Sequence, residues 1–133
     1  MQLNYLSSRI IAAAINVHKE LGPGLLESVY QSCMMIELKR DGVKVEAEVS
    51  LPVIYCGQRV RDEGFRLDLL IEDTIVVELK SVEKIQAVHK KQLLTYLRLA
   101  NKPLGLLLNF NVAVLKNGIS RIINNRYQEI GGS

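Results

Sequence analysis

Two apolar, strand-like runs carry charge where charge is expensive. Phe65-Arg66-Leu67-Asp68-Leu69-Leu70-Ile71 is followed almost at once by Ile75-Val76-Val77-Glu78-Leu79-Lys80. An ionised carboxylate among Leu, Ile and Val costs several kcal/mol unless a cation compensates it. Glu78 and Lys80, two residues apart, share one face of a strand. Two carboxylates and a lysine on neighbouring strands suit a metal ion and a phosphate better than they suit a core. Asp68 and Glu78 offer hard oxygen donors, the preference of Mg2+ or Mn2+ rather than zinc. Lys80 would orient or help deprotonate an attacking water and neutralise phosphate charge.

The turn between these strands decides whether the carboxylates can meet. A two-residue turn at Glu72-Asp73 would set Asp68 opposite Val77 and send Glu78 to the other sheet face. An odd loop, Glu72-Asp73-Thr74, sets Asp68 opposite Glu78. Two-residue hairpins favour Asn-Gly, Asp-Gly or Gly-X, and no glycine stands here, so the odd loop is expected.

The elements that must hold this pair follow from periodicity. Leu6, Ile10, Ala13, Ala14, Val17 and Leu21 recur at helical spacing over about 6–20, closed by Leu21-Gly22-Pro23-Gly24. A second helix is expected over about 25–40, with Leu26, Val29, Tyr30, Cys33 and Ile36 inward and Asp41-Gly42 as its stop. The period then changes to two. Val43 to Leu51, Val53 to Tyr55, a turn at Cys56-Gly57-Gln58, Val60, Phe65 to Ile71 and Ile75 to Val82 read as strands.

A helix over about 84–99 follows, closed by Asn101-Lys102-Pro103. Its inward face is expected to carry Ile85, Val88, Gln92, Tyr96 and Leu99. Leu104 to Phe110 is continuously apolar, as in a strand buried on both faces, and a crossover helix before it implies a parallel pair. Val112 to Leu115 and Ile119 to Ile123 read as a last hairpin, and 125–133 as a loose polar tail. The expected class is α/β (α+β): one domain over 1–124, a mixed sheet flanked by helices, in the order ααββββαβββ.

Composition is that of an ordinary globular domain, 48% hydrophobic and 23% charged, which argues against disorder. No apolar run approaches the roughly 20 residues of a membrane span, and no basic segment leads into an apolar signal core. No membrane association and a cytoplasmic location are therefore expected. Cys33 and Cys56 are too few and too far apart for a zinc ribbon or a disulfide framework and are expected as reduced thiols with a packing role. Between Lys80 and Lys102 the bases Lys80, Lys84, Lys90, Lys91, Arg98 and Lys102 face a single acid, Glu83. Such a stripe suits a polyanion.

Taken together, Asp68 and Glu78-Leu79-Lys80 resemble the D…(D/E)xK signature of the PD-(D/E)xK phosphodiesterase superfamily. Gly24-Leu25-Leu26-Glu27-Ser28-Val29-Tyr30 is similar to the signature of its bacterial GxxExxY family, as are Leu21-Gly22-Pro23-Gly24 and Gly105 to Phe110. Gln92-Leu93-Leu94-Thr95-Tyr96 resembles the QxxxY helix motif of RecB-type nucleases. Leu67 stands where the superfamily's proline would be. The resemblance implies a restriction-endonuclease-like fold and a Mg2+- or Mn2+-dependent nuclease. The metal would be held by Glu27, Asp68, Glu78 and the Leu79 carbonyl, with Lys80, Gln92 and Tyr96 completing the catalytic set.

Tyr30, Lys84, His89, Lys90 and Lys91 are further candidates for nucleic-acid contact. The implied partner is nucleic acid, DNA ahead of RNA, and a homodimer would supply two copies of a small site for two strands. The alternative is a non-catalytic nucleic-acid- or partner-binding protein on the same scaffold.

Overall fold

A computed structural model describes residues 2–129, residues 61–63 by their backbone alone. The helical stripe Leu6, Ile10, Ala13, Ala14 and Val17 is the buried face of α1 (Leu3–Leu21), which Gly22 ends at φ 73° by donating its N–H to the His18 carbonyl. Next comes α2 (Glu27–Arg40), stopped where Gly42, at φ 75°, donates to the Lys39 carbonyl. Strands β1 (Val45–Tyr55), β2 (Gln58–Ile71) and β3 (Ile75–Lys80), helix α3 (Ala87–Ala100), then strands β4 (Leu104–Asn109) and β5 (Ile119–Ile123) complete the chain. The sheet has five strands in the order β1-β2-β3-β4-β5. β3 and β4 are parallel, as the crossover through α3 requires, and the other pairs are antiparallel.

Each sheet face has its own core. Leu69, Ile71, Ile75, Val77, Leu79, Leu104, Leu106 and Leu108 pack under α1 and α2, whereas Leu67, Leu70, Val76 and Leu107 pack with Leu93 and Leu97 of α3. β3 and β4 are therefore covered on both sides, which accounts for the unbroken apolar run of β4.

The element order departs from the expectation at two places. Val43–Leu51 and Val53–Tyr55 merge into β1, and Val60 and Phe65–Ile71 merge into β2, because register shifts around Pro52 absorb the irregularity without ending either strand. Gly64 permits this: a Cβ there would overlap the Val53 nitrogen and stand 2.7 Å from the Leu51 carbonyl oxygen. The expected terminal hairpin is absent. Leu115–Gly118 is a 3-10 turn that buries Leu115, and β5 pairs with β4 instead. The order is thus two helices, three strands, a helix and two strands.

Both later helices are also rotated from their expected faces. α2 buries Tyr30, Met34 and Leu38, leaving Leu26, Val29 and Ile36 exposed. Tyr30 sets this rotation: its ring stacks on Phe110 at 4.3 Å, and its hydroxyl donates to the Gly22 carbonyl at 2.6 Å and accepts from Leu25 N–H at 3.1 Å. α3 buries Leu93 and Leu97, while Val88, Gln92 and Leu99 face outward. Leu93 seats on Gly105, where a Cβ would stand 2.9 Å from its side chain.

The tail is not loose where it is described. Asn101 and Gln128 exchange hydrogen bonds at 2.8 and 3.1 Å, and Asn124 caps the end of α3 through Leu97 and Lys102 carbonyls. Residues 130–133 lie outside the described residues. Cys33 is half-buried; Cys56, at φ 52° in the turn joining β1 and β2, is exposed and has no packing role.

Gly118 backs directly onto the carbonyl of Asn109, at the end of β4. Gly118→Ala would force these backbones apart and is expected to destabilise the fold by about 2–4 kcal/mol, the range of severe overpacking. Gly57→Asn, at a positive-φ turn with open space around it, should be nearly neutral by contrast. Urea titration of both variants checks this pair of expectations.

Candidate active site

The β2–β3 turn has three residues, Glu72, Asp73 and Thr74, so Ile71 pairs with Ile75, Leu70 with Val76 and Leu69 with Val77. Glu72 and Asp73 take φ of 50° and 53° without being glycine. Neighbours hold them: Glu72 exchanges hydrogen bonds with the Lys44 backbone at 2.9 and 3.0 Å, and Lys102 Nζ reaches the Asp73 carbonyl at 2.9 Å and its carboxylate at 3.0 Å. Lys102 thus leaves the expected basic stripe to pin this turn.

Continued by one step, the register sets Asp68 opposite Glu78. There the backbone ladder gives way to side chains. Leu79 N–H donates to Asp68 Oδ2 at 2.9 Å, and Asp68 N–H donates, over a longer 3.4 Å, to Glu78 Oε1. Each carboxylate therefore takes the place of a ladder carbonyl. β2 also reverses phase here, while β3 keeps Ile75, Val77 and Leu79 in one core. Leu69 and Ile71 belong to the core under α1 and α2, but Leu67 belongs to the core under α3. On β1 the same reversal falls at Glu48, φ 53°, which lies opposite Asp68 between the pairs Ala47–Leu69 and Val49–Leu67.

Glu78 is only 8% exposed. Burial, then a hydrogen bond and charge from Asp68, push its carboxyl up to about 9, against the pull of Lys80. Tyr96 is raised as well, first by burial and then by the charges of Glu78 and Asp68, which places its hydroxyl in the field of the pair. Its ring stacks on Phe65 at 5.0 Å.

Two further residues shape the cleft beyond Lys80. Ser81 N–H donates to Glu27 Oε2 at 3.2 Å, and Ser81 Oγ donates to the Leu25 carbonyl at 2.7 Å, so the start of α2 is tied to the end of β3. Buried Asn109, at the end of β4, accepts from Val82 and Asn111 N–H at 3.1 Å each and returns a hydrogen bond to the Val82 carbonyl at 2.9 Å. Neither role was drawn from the sequence. The signal for Asn109 was one polar residue closing an apolar run; Ser81 had none.

The structure brings Asp68, Glu78, Lys80 and Tyr96 to one place. Glu27 is exposed and engages Ser81, and among the described residues no three His, Cys, Asp or Glu side chains converge. Gln92 is exposed rather than set in an apolar stripe. Tyr30 is fully buried and serves the Gly22–Leu25 loop, so it offers nucleic acid no surface. Lys84 and His89 line one shallow cleft beside Val82, and Lys84 and Lys90 line another beside Asn109. His89 spends Nδ1 on the Gln86 N–H at 2.9 Å, capping α3. Lys91 is exposed.

A family model of the PD-(D/E)XK nuclease superfamily matches residues 4–122. The chain belongs to that superfamily. The match spans every helix and nearly all of the sheet, so the likeness is to the whole domain and not to the charged strands alone. Nucleases of this superfamily are generally divalent-metal dependent. No curated protein matches the chain. No helix among the described residues is long and apolar enough to cross a membrane.

The donor set fits a hard dication. Two carboxylates that meet where one is buried must share a proton or a cation, and Glu78 without a cation holds its proton past neutrality. The native state therefore carries more protons than the unfolded chain between about pH 4.5, the ordinary value, and about 9. Stability from this group is full below that window and is lost as pH rises through it. Glu78→Gln removes the ionisation and keeps the shape. At pH 8, without metal, it is expected to be more stable than the wild type by on the order of 2 kcal/mol, with a flatter pH profile across the window. Thermal melts from acid to alkaline pH in chelator test this; a less stable variant at pH 8 would refute it.

Proposed function

We propose that this protein is a nuclease that hydrolyses phosphodiester bonds of nucleic acid, DNA ahead of RNA, with Mg2+ or Mn2+ held by Asp68 and Glu78. The observation that carries this reading is the exchange of hydrogen bonds between Asp68, Glu78 and Leu79 at the split end of the ladder, with Lys80 next on the Glu78 face. Gly24, Glu27 and Tyr30 support a place in the GxxExxY family within the superfamily.

A bound dication would supply Lewis acidity at the phosphoryl oxygen and lower the pKa of a coordinated water. Lys80 neutralises charge developing on the phosphate and orients the water for in-line attack. Glu27 joins through a water or after a local shift, its present tie being to Ser81. Tyr96 lends a hydroxyl close to the carboxylates, and Gln92, one turn earlier on α3, meets substrate from the solvent side. Lys84, Lys90 and Lys91 draw in the backbone of the polyanion.

A gel assay on single-stranded, duplex and branched DNA and on RNA, with Mg2+, Mn2+ or EDTA, tests the proposal. Cleavage is expected only with metal, and Lys80→Ala and Asp68→Asn are each expected to lose at least ~100-fold. Saturating Mn2+ should also raise the melting temperature of the wild type, by mass action on the native state, and not that of Glu78→Gln. Cleavage that survives both EDTA and Lys80→Ala would rule out this site. Nucleic-acid binding without cleavage would favour a binding scaffold instead.

A further inference from the structure

The outward flank of α2 carries an apolar stripe that the described residues leave largely exposed. Leu26 and, within α2, Val29, Cys33 and Ile36 follow one another at intervals of three, four and three residues, the seam spacing of paired helices. The core takes only the half-buried edge of this stripe, at Cys33, because α2 packs inward chiefly through Tyr30, Met34 and Leu38. Leu26 is 73% exposed, Ile36 57% and Val29 38%. The next sector of the same helix is exposed and polar, with Ser28, Ser32 and Lys39. Beside the stripe a groove of about 140 Å³ runs between α1 and α2. Val17, Leu21, Cys33 and Ile36 wall it, and Glu20 and Glu37 also line it. Apolar cavities of ~150 Å³ accept a benzene-sized group, so one aliphatic side chain fits such a space.

We infer that a second copy of this chain docks antiparallel on the stripe, α2 against α2, about a two-fold axis. One register sets Leu26 against Ile36 of the second copy and Val29 against Cys33 at the same time, so no seam residue lacks an apolar partner. An isologous contact must be self-complementary in this way. In that register Leu26 of the second copy enters the groove walled by Cys33 and Ile36.

Charge selects the antiparallel arrangement. The N-terminus of α2 has no side-chain cap and carries the positive end of the helix dipole. Docked antiparallel, this end, with Glu27 in its first turn, comes against the last turn of the second copy, where Glu37 faces the dipole and Lys39 and Arg40 face Glu27. A parallel pair would bring two uncapped N-termini together, and Lys39 and Arg40 of both copies at the other end.

Sedimentation equilibrium of the full chain, from micromolar to millimolar, is the first measurement. The wild type is expected to reach twice 14.9 kDa, and Ile36→Glu and Leu26→Glu to remain at half that mass with unchanged far-UV circular dichroism. Leu26→Cys with Ile36→Cys, on a Cys33→Ser, Cys56→Ser background, reads the direction of packing. Oxidation should give dimers in which peptide mapping finds position 26 joined to position 36 of the other copy. A wild type that stays monomeric, a dimer untouched by both glutamates, or cross-links joining 26 to 26 would each overturn the inference. Mass and cross-links are read without cleavage, so they stand or fall apart from the proposed chemistry.

Discussion

The structure turns on one substitution of partners. At the end of the β2–β3 ladder, the acceptors for Leu79 N–H and Asp68 N–H are the carboxylates of Asp68 and Glu78. A backbone ladder can continue with carbonyls at no electrostatic cost. Here it continues with two carboxyl groups instead, in a place where Glu78 is almost fully buried. Satisfying the N–H groups this way holds both carboxyl groups in fixed positions side by side, where they cannot both be ionised without a compensating charge and Glu78 keeps its proton. The hydrogen bonds orient the pair, and the burial makes it take up a proton or another positive charge.

Several backbone features far from the chemistry serve that geometry. The three-residue turn sets the register, and Lys44 and Lys102 hold its two left-handed non-glycine residues. The phase reversal shared by Glu48 and Asp68 lets one strand pair feed two cores. At the other side of β3, the parallel partner β4 ends in Asn109, which ties off the Val82 backbone and supports the cleft beyond the strand ends. Open α/β sheets bind their ligands beyond the carboxyl ends of parallel strands, and Lys80 and Asn109 stand at those ends.

Much of this could be read in the chain. Charge inside apolar runs marked Asp68, Glu78 and Lys80, and the lack of glycine in the turn implied the odd loop that the structure has. The parallel pair followed from an apolar run after a crossover helix. Helix rotation was not legible, because α2 has apolar residues on two adjacent faces and periodicity cannot rank them. Tyr30 decides between them through Phe110 and Gly22, contacts remote in sequence. In α3 the choice rests on Leu93 meeting Gly105, so Gln92 turns outward although its spacing from Tyr96 suggested a shared inward face. The missing hairpin has the same kind of cause: Gly118 seats on the Asn109 carbonyl, a tertiary contact that outranks local turn preference.

The two apolar faces of α2 also bear on how the site is held. Its inner face locks the helix to Phe110, next to Asn109, while its first residues hold Ser81, next to Lys80. The helix and the loop before it are therefore fixed at both strands that end at the site. Glu27 sits at the junction. It is the first residue of α2, exposed, and its carboxylate accepts from Ser81 N–H at 3.2 Å. Asp68 and Glu78 are held by the sheet itself, through hydrogen bonds with strand N–H groups, whereas Glu27 is held at its surface by the Ser81 N–H.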